Sequence, residues 1–102
     1  MPDMDEFRQK ARQAVEWIAR YYENLENYPV KSQVRPGEIY KELPESLPEQ
    51  GEDIDRMIKD FDNHLLKGIT HWQSPKFFAY FPANTSLPSM IAEMMTTAMG
   101  AQ

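Results

Sequence analysis

The side chains able to do chemistry fall in the middle of the chain. His64 and His71 are its two histidines, and His71 opens a run of rings, Trp72, Phe77, Phe78, Tyr80 and Phe81, closed by Pro82. Four aspartates, Asp53, Asp55, Asp60 and Asp62, precede them. Rings at this density must be covered by something. They are either plain core packing or the walls of a flat apolar slot, in which stacking separates aromatic from aliphatic ligands. His71 reads first as a structural histidine hydrogen-bonded to backbone and second as a ligand contact. His64, one place before Leu65, reads as a solvated or helix-end histidine. The aspartates fall on or beside the polar face of a helix, where a solvated surface explains them better than an acid pair does.

Several chemistries lack the residues they need. The chain has no cysteine, which removes disulfides, thiolate metal sites and a cysteine nucleophile together. Two histidines without His-x-x-x-His spacing argue against a transition-metal site, no glycine-rich loop precedes a helix to hold phosphate, and no Gly-x-Ser-x-Gly elbow occurs. By residue chemistry alone the chain is not a self-sufficient enzyme. Its net charge is −5, with lysines and arginines scattered among carboxylates, so nucleic acid is not an expected partner. The start, Met1-Pro2-Asp3-Met4-Asp5-Glu6, is acidic where a signal peptide is basic and then apolar. No apolar run approaches the roughly 18 residues of a membrane span. A cytoplasmic protein without a membrane partner is expected.

The elements that must position these residues follow from periodicity. At 102 residues, 41% hydrophobic and 26% charged, the chain has room for one core. Phe7, Ala11, Ala14, Val15, Ile18, Tyr22 and Leu25 recur at three- and four-residue steps and predict a helix over about 3–27, capped by Asp3 and ended by Pro29. Ile54, Met57, Ile58, Phe61 and Leu65 predict a second over about 52–66, with Gly68 placed for a left-handed C-terminal residue. Ser86 and Pro88 suit the start of a third, over about 86–99, with an apolar stripe of Leu87, Met90, Ile91, Met94, Met95, Ala98 and Met99. Methionines adapt to irregular apolar surfaces, so this stripe is either core and permanent interface, the favoured reading, or a promiscuous binding face. A short helical turn near Glu38 to Leu43 and a short strand within the aromatic segment complete the expectation. The fold class is all-α: three amphipathic helices joined by long, proline-rich extended loops. Two structureless connections of about 20 residues are unusual in so small a domain, and they suggest segments lying against a partner chain in an interlocked arrangement.

Gly68-Ile69-Thr70-His71-Trp72-Gln73-Ser74-Pro75, followed by Phe77-Phe78-Ala79-Tyr80-Phe81-Pro82, resembles the signature of the aromatic L-amino-acid decarboxylases, the pyridoxal-phosphate-dependent family of DOPA, tyrosine, tryptophan and histidine decarboxylases. Phe7-Arg8 through Tyr21-Tyr22 resembles the family's opening helix. Tyr28-Pro29-Val30, Val34-Arg35-Pro36-Gly37 and Leu43-Pro44 resemble the connection after it. The resemblance implies a dimeric enzyme of fold-type I, in which this N-terminal segment lies across the neighbouring subunit. It implies that Trp72, Tyr80, Phe81 and Pro82 belong to the substrate's aromatic pocket. Ala83 stands where animal DOPA decarboxylases carry a threonine. The family's cofactor lysine, the acidic partner of the pyridine nitrogen, the ring-stacking histidine and the catalytic loop are expected beyond Gln102. Pyridoxal 5'-phosphate is therefore expected in the parent enzyme and not in this segment, which is expected to be inactive alone. The expected partners are a second copy, as a homodimer or interlocked homo-oligomer, and the parent's catalytic domain. The competing expectations are a stand-alone helical interaction module that has lost the chemistry, and an aromatic-ligand binding protein.

Overall fold

The computed structural model describes residues 3–80 and 85–100. Helix α1 spans Met4–Glu23 and is capped by the Asp3 carboxylate, which accepts from the backbone N–H groups of Asp5 and Glu6 at 2.9 and 3.3 Å. That cap satisfies two of the donors a helix start leaves open, and acidic residues in the first turn suit the positive end of the helix dipole. The helix stops at Asn24, and a separate 3-10 turn, Leu25–Asn27, carries the chain to Tyr28 and Pro29.

Helix α2 is the single turn Glu38–Glu42, entered through Gly37 at φ 82°. A left-handed φ costs a residue with a Cβ about 1–2 kcal/mol, so Pro36-Gly37 sets where this helix begins. Helix α3, Ile54–Asp60, passes into a π-helical turn, Phe61–Leu65, and then a 3-10 turn, Leu66–Gly68. The wider turn changes the register, and its side chains reach two neighbours: Asp62 meets α1 and His64 meets α2. Gly68 is not left-handed, contrary to the sequence expectation. Its lack of a side chain serves close packing instead, because a Cβ there would lie 3.1 Å from Ile39 Cγ1.

Helix α4, Leu87–Met99, starts at Ser86, whose hydroxyl accepts from Ser89 N at 3.2 Å, and ends on Gly100 at φ 62°. No strand occurs among the described residues. The aromatic segment, expected to hold one, folds as linked tight turns. His71 O accepts from Ser74 N and Ser74 O from Phe77 N, both at 3.1 Å, and these bonds draw the backbone together where a strand would extend it.

The helices join through polar contacts as much as through apolar ones. Lys10 Nζ lies 2.7 Å from Asp55 Oδ2, and Trp17 Nε1 donates to Asp62 Oδ1 at 2.6 Å. Phe61 meets Trp17 edge-on at 5.3 Å. The half-buried face of α1 is Lys10, Ala11, Ala14, Trp17, Ile18, Tyr21 and Tyr22, while Phe7 and Val15 of the expected stripe stay exposed. An apolar recess of about 300 Å3 remains between α1 and α3, lined by Ala14, Trp17, Ile18, Met57, Ile58 and Phe61.

Leu25 is the one buried hydrophobic residue among those described, and the other buried side chains are His71 and Ser74. The surface area is 9104 Å2, against about 6,000 Å2 for a compact protein of this mass. The radius of gyration is 16.1 Å, where a compact domain of this length gives about 13 Å. Helix α4 contains no buried residue, and Leu87, Ile91, Met94, Met95 and Met99 are all exposed.

Candidate functional site

Two aromatic clusters adjoin at His71. The inner one is built where the end of α1, the proline connection and the aromatic segment meet. His71 is 3% exposed. Its Nδ1 lies 2.6 Å from the Tyr21 hydroxyl, its ring stacks on Tyr28 at 5.0 Å and 24°, and its backbone N–H donates to Val30 O at 2.8 Å. Tyr21 in turn stacks on Trp17 at 5.5 Å and on Tyr28 at 5.6 Å. Burial holds the His71 imidazole below its ordinary pKa of 6.5, because the charged form loses hydration. Burial likewise pushes the Tyr21 phenol above 10, helped by the neighbouring Tyr22 and Tyr28. The ring-to-backbone bond expected for His71 is not the one formed: the ring's partner is the Tyr21 hydroxyl, and the bond to Val30 O is made by the backbone N–H.

The outer cluster is a stack of rings open to solvent. Trp72 lies parallel to Tyr80, 5.7 Å and 5° apart, and stacks on Phe77 at 4.9 Å and 25°. Trp72 is 47% and Tyr80 80% exposed. Tyr80 adopts φ 58°, a conformation rare for an aromatic residue and one that concentrates where function over-determines the backbone. Of the four residues expected in the aromatic pocket, Trp72 and Tyr80 come together in this stack. Phe81 and Pro82, like Ala83, lie outside the described residues.

Of the remaining polar candidates, His64, Asp55 and Asp62 have structural partners. His64 Nδ1 is 3.3 Å from Glu42 Oε2, and Lys67 Nζ is 2.6 Å from Glu42 Oε1. The Lys67 hydrogen bond, with a smaller one from His64, holds the Glu42 carboxyl below its usual 4.5. Asp55 and Asp62, read from sequence as surface carboxylates, bind α3 and its π-helical turn to α1. The Asp55 hydrogen bond raises the Lys10 pKa, and Glu42 raises that of Lys67. Sequence reasoning missed Trp17, Tyr21 and Tyr28. For Trp17 and Tyr21 the signal was present, since they are rings one helical turn apart, each with a polar tip that a half-buried site obliges to find a partner; Tyr28 lies beyond the helix.

The pyridoxal-dependent decarboxylase conserved domain matches residues 36–102. The chain belongs to that family of enzymes. Within it, the chain is 46% identical over 99 residues to tyrosine decarboxylase 1 of Narcissus pseudonarcissus, covering 97% of this chain and 19% of that enzyme. It superposes on the crystal structure of Catharanthus roseus tryptophan decarboxylase in complex with L-tryptophan with a TM-score of 0.89 and 41% identity, over 97% of this chain and 21% of that one. For Rhodiola rosea 4-hydroxyphenylacetaldehyde synthase the TM-score is 0.90 and the identity 35%, over 96% and 21%. The chain spans about a fifth of the length of the relatives it matches.

The described residues do not by themselves fit pyridoxal phosphate. A lysine that bonds the cofactor must be able to lose its proton, which desolvation or a neighbouring cation promotes. Lys10 and Lys67 are instead ion-paired and held in the charged form, and Lys31, Lys41, Lys59 and Lys76 lie on the surface. The first-turn donors of α1 and α4 already have Asp3 and Ser86 as acceptors. No group of three or more metal-ligating side chains occurs among the described residues, and no described helix is long and apolar enough to cross a membrane.

Proposed function

We propose that this chain is the N-terminal dimerisation and substrate-pocket segment of a pyridoxal-phosphate-dependent carboxy-lyase that converts an aromatic L-amino acid to its amine and CO2. The observation that carries the reading is the exposed parallel stack of Trp72 and Tyr80, at the positions of the family's aromatic-pocket motif. Flat apolar walls of this kind favour an aromatic side chain over an aliphatic one. Phe81 and Pro82 are assigned to the same pocket from the motif alone. The cofactor, its lysine and the proton-transfer groups come from the catalytic domain, and the protein acts in the cytoplasm. The apolar faces of α1 and α4 pack against a second copy, giving a homodimer. Relatives named as a tyrosine decarboxylase and as a phenylacetaldehyde synthase match this segment at 46% and 45% identity, so the choice between amine and aldehyde is assigned to residues outside it.

The test joins residues 1–102 to the catalytic domain of the Narcissus tyrosine decarboxylase. The chimera should decarboxylate an aromatic L-amino acid, and Trp72→Ala should raise KM about tenfold, since losing a stacking ring costs roughly 1.4 kcal/mol. The 102-residue chain supplied with the cofactor should release no CO2. A folded, cofactor-loaded chimera without activity, or a Trp72→Ala variant with unchanged KM, would count against the reading.

A further inference from the structure

The inner and outer clusters share one backbone, and His71 is where they join. Its N–H is bonded to Val30 O and its carbonyl to Ser74 N. Ser74 is itself buried, accepts from Lys76 N at its hydroxyl, and passes the turn on to Phe77. Trp72 stacks on Phe77 across this relay of turns, and on Tyr80 beyond it. The imidazole is therefore the anchored end of the device that holds the ring stack, and α1 holds the imidazole through Tyr21.

The Tyr21 hydroxyl, 2.6 Å from His71 Nδ1, is the described polar partner of the ring. A phenol both donates and accepts, so it bonds either tautomer of the neutral imidazole. A second proton would place a charge on a side chain only 3% exposed, between the Tyr21 and Tyr28 rings. Asp62, Glu38 and Lys67 line the same cavity of about 440 Å3 as His71. Asp62 is bonded to Trp17, Glu38 and Lys67 face each other at 3.7 Å, and neither carboxylate hydrogen-bonds to the imidazole.

We propose that His71 is a positioning residue for Trp72: its neutral imidazole, held by Tyr21, fixes the turns that carry the ring stack, and adding a second proton releases the stack from α1. Calling it a positioning residue rests on the proposed role of the stack in substrate binding; the coupling between imidazole and indole does not.

NMR on the 102-residue chain tests this, with nitrogen-labelled histidine and tryptophan and His64→Gln to leave one imidazole. At pH 7.5 one ring nitrogen should be pyridine-like and the other pyrrole-like, as in a neutral imidazole, with nuclear Overhauser contacts between the Trp72 and Tyr80 rings. On acidification those contacts should vanish with the midpoint of the His71 titration, below pH 6.5. Tyr21→Phe should lose them already at neutral pH with its helical circular dichroism intact; if that variant unfolds, the acid titration of the unaltered Tyr21 chain decides. A doubly protonated ring at pH 7.5, ring contacts absent at that pH, or contacts that survive protonation of His71 would each overturn the proposal. An inactive chimera with this coupling intact would remove the substrate reading alone, and an active chimera without the coupling would remove this inference alone.

Discussion

His71 shows how a residue's meaning depends on its partners. Its position beside Trp72 was visible in the sequence, which suggested a backbone partner for its ring. The Tyr21 hydroxyl was not, because fifty residues separate the two and periodicity along α1 does not say which side of a ring-rich helix faces inward. One consequence is a pH dependence with a definite sign. The folded chain holds the imidazole below 6.5, so the unfolded chain binds the proton first. Stability is then fully present above about pH 6.5 and falls as the pH drops from there through the folded-state pKa. Glu42, held low by Lys67, adds its own loss only below 4.5. Urea melts at pH 7.5, 6.0 and 5.0 should show the midpoint falling across that first window in the unaltered chain. In His71→Asn the midpoint should be lower but flat with pH.

At the scale of elements, caps and turn signals were the legible part. Asp3, Ser86, Pro36-Gly37 and Gly100 each mark a helix boundary with a mechanism that acts within a few residues. Ser86→Ala should cost about 1 kcal/mol, read as faster amide exchange in the first turn of α4. What could not be read was tertiary. The π-helical turn at Phe61–Leu65 serves contacts with two other helices, and local periodicity carries no trace of either. The strand expected among the rings gave way to turns pinned by His71 and Ser74, and the closeness of Ile39 to Gly68 depends on how α2 meets the end of α3's extension. Helix α4 was legible as an amphipathic helix, and its stripe is open to solvent within this chain. Ile91→Asp should therefore leave the helix formed and weaken association, because burying an unpaired carboxylate against an apolar partner costs several kcal/mol. Light scattering across a dilution series would show the shift toward smaller species.

The whole molecule is defined by what it leaves uncovered. Some 3,000 Å2 more surface is exposed than a compact protein of this mass would show, an amount in the range that obligate subunit interfaces bury. Long proline-rich connections pointed to this from sequence, since such segments need a surface to lie on. Which residues remain bare, Phe7, Val15, Trp72, Tyr80 and the α4 stripe, required the structure. The account requires those faces to meet a second polypeptide surface, and sedimentation velocity at micromolar concentration measures that most directly. A dimer or larger species with the helical content of α1 to α4 is expected. A fully helical, folded monomer with these side chains still in water would contradict it.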